Sequence, residues 1–239
     1  MTNFSLIAEF YALILLLILA LFFYDITPMR GFTKRRHVFT WSMVLCAVSI
    51  CVTIFCELIK DTPFINSPNL ILTLTTCYFL STWLMITLLS YYLLLRLYEF
   101  VYDKKKNTRA SRVAVGLFVV SAALLMINLN SGILFYITTE QVYCKGPLNA
   151  LSYITPLGDI ALVFICALIN RKNINRIAKK MVCVIVPVSL TLLVVQYIYQ
   201  NHRINGVICV TVLLIVFITY NGGRTDQDSI TTWKPAAIL

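Results

Sequence analysis

Seven long runs of apolar residues, separated by short polar segments, make up most of this chain. Their cores are Phe4–Tyr24, Val38–Leu58, Leu70–Leu97, Val113–Ile133, Leu148–Asn170, Met181–Tyr199 and Ile204–Tyr220. A helix needs roughly 20 residues to cross about 30 Å of hydrocarbon, and each run is near or above that length. Inside lipid only helices and closed barrels satisfy their own backbone groups. The runs show no period-2 alternation, so they are not barrel strands. The pattern therefore predicts an all-α polytopic membrane protein, a seven-transmembrane-helix bundle over residues 1–220 with a polar tail over 221–239. The first run is too long for the apolar core of a cleaved signal peptide, and its basic residues follow it. It should act as an uncleaved signal anchor.

Charge adds an orientation. Of the 20 Lys and Arg residues, 17 fall in alternate connections: Arg30 and Lys34–Arg36, then Arg96–Arg112, then Arg171–Lys180, and the tail. Only Lys60, Lys145 and Arg203 lie in the others. Lys and Arg are retained on the cytoplasmic side, which predicts the N-terminus outside and the C-terminus in the cytoplasm. The formal net charge of +10 is thus a topology signal, with anionic headgroups of the bilayer as natural neighbours. Basic residues split among short loops do not make a nucleic-acid-binding face. The composition, 59% hydrophobic with mean hydropathy +0.83, leaves no room for a separate soluble domain and places the chain in the cell membrane as a multi-pass protein.

Pro and Gly punctuate the connections. Pro28 and Gly31 mark the first inner loop. Pro63 and Pro68 bracket a turn in the first outer loop, and the largest outer loop spans about Phe135–Pro147. Pro187 lies inside helix 6, where it frees a carbonyl and favours a kink. Seven of the eight cysteines lie in or near apolar spans, where Cys acts as a small hydrophobe. Cys144 alone sits clearly in an outer loop. The nearest outward pairing, Cys56 with Cys144, is not one that sequence can establish without Cα distances. The two histidines, His37 and His202, fall on opposite sides, and no Cys/His spacing suggests a metal. No cofactor is expected.

Asp159 is the sharpest local feature. It follows Tyr153-Ile154-Thr155-Pro156-Leu157-Gly158, inside helix 5. A carboxylate at mid-bilayer costs at least about 2.5–3.5 kcal/mol on insertion scales, so it should face the bundle interior. Pro156 and Gly158 are expected to loosen the helix before it. Two readings stand with equal weight: a ligand-contacting, proton-binding or gating carboxylate, or a hydrogen-bonded lock for helix packing. Glu9 and Glu57 lie toward the outer ends of helices 1 and 2, as headgroup-reaching acids or as the rim of an outward pocket. Tyr78 and Trp83 on helix 3, with Gln196, Tyr197 and Tyr199 on helix 6, are interfacial anchors or the same pocket's wall. The candidate ligand-binding set is Asp159, Tyr153, Glu57, Trp83, Tyr78 and Gln196.

Catalysis has no support: there is no HExxH, GxSxG or P-loop pattern, and no second intramembrane acid to pair with Asp159. The architecture resembles the bacterial seven-helix sensory regions that precede histidine kinase or GGDEF (diguanylate cyclase) domains. In the tail, Asp228-Ser229-Ile230-Thr231 looks like the first four positions of the Asp-x-Leu-Thr-Gly pattern that opens GGDEF domains, with Thr232 where Gly belongs. No cyclase segment follows, so the chain is not expected to be an enzyme. The resemblance implies a membrane sensor that detects an extracytoplasmic or bilayer-borne signal. It would pass a helix movement to a cytoplasmic output domain or protein of the GGDEF or kinase type, with homodimerisation as a further expectation. The rivals are a small transporter or channel subunit, or a structural scaffold subunit. A G-protein-coupled receptor does not fit: helix 3 ends Arg96-Leu97-Tyr98-Glu99, without Asp/Glu-Arg-Tyr, and helix 7 lacks Asn-Pro-x-x-Tyr.

Overall fold

The computed structural model describes residues 2–26, 34–60, 67–98, 104–138, 142–172, 174, 176–198 and 205–231. The first inner loop at Pro28–Gly31, the turn after Pro63, and Glu140, Gln141, Tyr199 and His202 lie outside the described residues. Seven helices follow in chain order: α1 Thr2–Ile26, α2 Lys34–Lys60, α3 Pro68–Leu97, α4 Lys104–Ser131, α5 Ile154–Ile169, α6 Arg176–Ile198 and α7 Asn205–Thr231. Six carry spans long and apolar enough to cross a membrane, while the apolar part of α7 is the shorter Gly206–Thr219. This is a helical, multi-pass membrane protein.

Consecutive helices pack side by side, α7 closes against α1 and α2, and α3 also reaches across to α5. From Tyr78 to Leu97 no α3 residue is exposed, whereas α1 turns Phe10, Tyr11, Leu17, Leu21 and Phe22 outward. The α3 helix is therefore the centre of the bundle. Its distinguishing content is hydroxyl rather than apolar: Thr75, Thr76, Ser81, Thr82, Thr87 and Ser90 are all buried. Small polar side chains suit this place, because helices in lipid associate through close packing and interhelical hydrogen bonds rather than hydrophobic burial.

The connection between α4 and α5 is more ordered than its sequence implies. Gly132, in the left-handed conformation at φ 63°, turns the chain out of α4 with its N–H on the Asn128 carbonyl at 2.9 Å. Phe135–Ile137 (β1) then pairs antiparallel with Tyr143–Lys145 (β2), in register Phe135↔Lys145 and Tyr136↔Cys144. Asn128 locks this hairpin onto α4. Its Oδ1 accepts from the N–H of Leu134 (2.6 Å) and Phe135 (3.2 Å), and its Nδ2 donates to the Phe135 carbonyl (3.0 Å). Asn149 ties the return strand down by donating to the Leu134 carbonyl and the Tyr143 hydroxyl. Beneath the hairpin lies a small core of Trp83, Leu125, Leu134 and Phe135, with the Phe79 ring packed at a tilt against Trp83 and Phe135. Cys144 is in β2, and no disulfide joins it to Cys56.

A five-residue 3-10 turn, Asn149–Tyr153, leads into α5, which begins only at Ile154. Pro156 therefore sits in the first turn, where a missing N–H costs no intrahelical bond. The expected loosening of helix 5 at Pro156 is thus corrected: the 3-10 turn shifts the helix start to meet the proline. Pro187, by contrast, is inside α6, where it removes a bond to the residue 183 carbonyl. At the far end α7 continues as helix through Gly222 and Gly223 to Thr231, so the Asp228–Thr231 segment forms its last turn.

Candidate functional site

Interhelical polar contacts sort into three places. At the hairpin end of α7, the Glu9 carboxylate, 0% exposed, accepts from the Gly206 N–H at 3.0 Å. A carboxylate at a helix N-terminus meets unpaired N–H groups and the positive end of the dipole. Gly206 is needed for this approach, since a Cβ there would collide with the same carboxylate and with Ile50. Glu9 thus joins α1 and α7. Nearby, Cys46 of α2 and Cys209 of α7 are buried in the same core.

The second place lies along the faces of α3, α4 and α5. Thr87 on α3 donates to Asp159 Oδ2 at 2.9 Å, and Thr155 donates to Ser121 on α4 at 2.5 Å. Thr155 and Asp159 are one turn apart on the same face of α5. Asp159 is 0% exposed, and among the described residues its Oδ1 has no hydrogen-bond partner. Gly158 faces α4, where a Cβ would press on the Leu117 side chain at 2.8 Å.

The third is a cavity lined by α3, α5, α6 and α7. It admits the centres of water-sized molecules over about 80 Å³. One water needs roughly 10–15 Å³ on that measure, so several waters or a small apolar group would fit. The wall is mostly aliphatic, from residues such as Leu89, Ile160, Ile185 and Val212, with Ser90, Ser189 and Gln196 as its polar points. Thr82 also lines it, but its hydroxyl is engaged with Ser49 of α2 at 2.8 Å. Among the described residues no charged side chain is on the wall.

Of the residues singled out from the sequence, Gln196 is on this wall, together with Pro156. Tyr153 packs edge-on against Tyr197 at 5.8 Å. Asp159 is behind the wall rather than on it, one residue from Ile160, which does line it. Trp83 is in the small core under the hairpin, with Tyr78 edge-on to Phe79 next to it. Glu57 is buried on α2. The six therefore do not converge on one point. Sequence reading missed Asn128, the Thr155–Ser121 pair and the wall residues Ser90 and Ser189. Hydroxyls and an amide recurring within apolar runs were the only available signal. Among the described residues no three His, Cys, Asp or Glu side chains are grouped to hold a metal. No protein-family model, curated protein or solved structure matches the chain.

Proposed function

We propose that this protein is a membrane sensor that takes an uncharged, bilayer-borne ligand between α3, α5, α6 and α7 and relays its presence along α7. The cavity carries this reading. It is apolar with a few hydrogen-bonding points and no charge, the complement of a hydrocarbon chain or ring bearing one hydroxyl or carbonyl. Its walls include α6, weakened at Pro187, and α7, which runs on about 18 Å past Thr219 at 1.5 Å per residue. A ligand that binds one packing of these helices better than another shifts the population between them. The basic residues favour an orientation with the hairpin outside and the end of α7 in the cytoplasm, where a GGDEF- or kinase-type domain or protein would receive the movement.

The test uses the full chain fused after its last residue to a reporter output domain. Uncharged lipids and n-alkanols are screened for thermal stabilisation of the purified protein, and stabilising compounds are then applied to the reporter. The expected result is stabilisation coupled to a change in reporter output, both abolished by Ser189→Phe, which fills the cavity. Stabilisation with unchanged output would defeat the sensor reading. Ligand-dependent flux into proteoliposomes would replace it with a transporter.

A further inference from the structure

We propose a sodium-ion site between α3, α4 and α5, formed by the Asp159 carboxylate with the hydroxyls of Thr87, Thr155 and Ser121. It is separate from the cavity and does not depend on the sensor reading.

The starting point is the unpartnered oxygen. Asp159 is wholly buried, Thr87 engages only Oδ2, and no Lys, Arg or His among the described residues pairs with it. A carboxylate in that position is neutralised by a proton or by a cation. A proton shared with Thr87 on Oδ2 still leaves Oδ1, a buried acceptor, without a donor. A cation on Oδ1 satisfies that oxygen and cancels the charge together.

The surroundings fit a hard monovalent ion. The oxygens that the fold gathers are hydroxyls and one carboxylate, ligands suited to hard cations and not to soft metals. One carboxylate supplies a single negative charge, so a divalent ion would leave net charge in the apolar interior, and a monovalent ion leaves none. Thr155 spends its proton on Ser121 at 2.5 Å, which leaves its own lone pairs to face a cation, and sodium is the monovalent ion taken for the test. Ser152, Thr155 and Asp159 follow one another at spacings of three and four residues, and all three are buried. Their oxygens form a polar file down α5, starting at the 3-10 turn.

Thermal unfolding of the purified protein in sodium chloride and in choline chloride, at equal ionic strength, tests this. The expected result is a saturable rise in Tm with sodium and none with choline. Asp159→Asn should abolish the sodium response, and Thr155→Val should shift its midpoint to higher sodium. Identical Tm in sodium and choline, or an unchanged sodium response in Asp159→Asn, overturns the proposal. Should Asp159→Asn not fold, equilibrium binding of radiosodium to the wild-type protein decides it: one ion per chain, weakened in Thr155→Val, supports the site, and no binding refutes it.

Discussion

Asn128 shows how much one side chain can organise in a membrane protein. Its amide serves three backbone groups of the hairpin, two as acceptor and one as donor. These groups are buried, so losing their partner costs about 1–3 kcal/mol each before relaxation. Asn128→Ala should therefore destabilise the protein by about 2–4 kcal/mol and open the hairpin to protease. Asn128→Asp keeps the acceptor but sets a buried carboxylate against the Phe135 carbonyl, so it should cost less than Asn128→Ala only at low pH, where the protonated acid donates to that carbonyl. Unfolding midpoints of the two variants at low and neutral pH, with proteolysis between β1 and β2, check the order, and equal losses at low pH would contradict the division of labour. Glu9 works in the same way at α7. The sequence places it near a helix end, but its partner Gly206 is 197 residues away and shows no polar side chain to mark it.

Elements differ in how they meet the proline rule. In α5 the fold adapts to Pro156 by starting the helix late, after the Asn149–Tyr153 turn. In α6 nothing adapts: Pro187 is mid-helix and exposed, and its own carbonyl accepts from Thr191 Oγ1 at 2.9 Å. A proline inside a helix costs about 3 kcal/mol or more. Pro187→Ala opens no interior void, so it should raise the unfolding midpoint. If α6 must bend beside the cavity for signalling, the same change should lower the reporter's response to a bound alkanol. A higher midpoint with full response would show that the proline is tolerated rather than used.

At the scale of the whole molecule, the hairpin end and the basic end are the two poles of the bundle. Reporter fusions after Ser67 and Gln141 should read outside the cytoplasm, and fusions after Lys106 and Lys180 inside it. The basis is the division of 17 basic residues against 3 between the two ends. A cytoplasmic signal at Gln141 would break the seven-span arrangement.

The sequence by itself determined the helical membrane class and the rough limits of the spans, because crossing hydrocarbon demands length and apolarity that nothing else in a chain imitates. It also marked Asp159 as buried, since a mid-bilayer carboxylate has no affordable exposed position. It did not determine which side of each helix faces inward. Lipid is as apolar as the core, so a lipid-facing Leu21 and a core Leu19 look alike in the sequence. Only the tertiary structure put α3 at the centre, brought Thr87 of one helix to Asp159 of another, and left Asp159 behind the cavity wall with Gln196 on it. Those placements depend on how seven rods pack against one another. That packing is decided by contacts between residues far apart in the chain, which local periodicity does not encode.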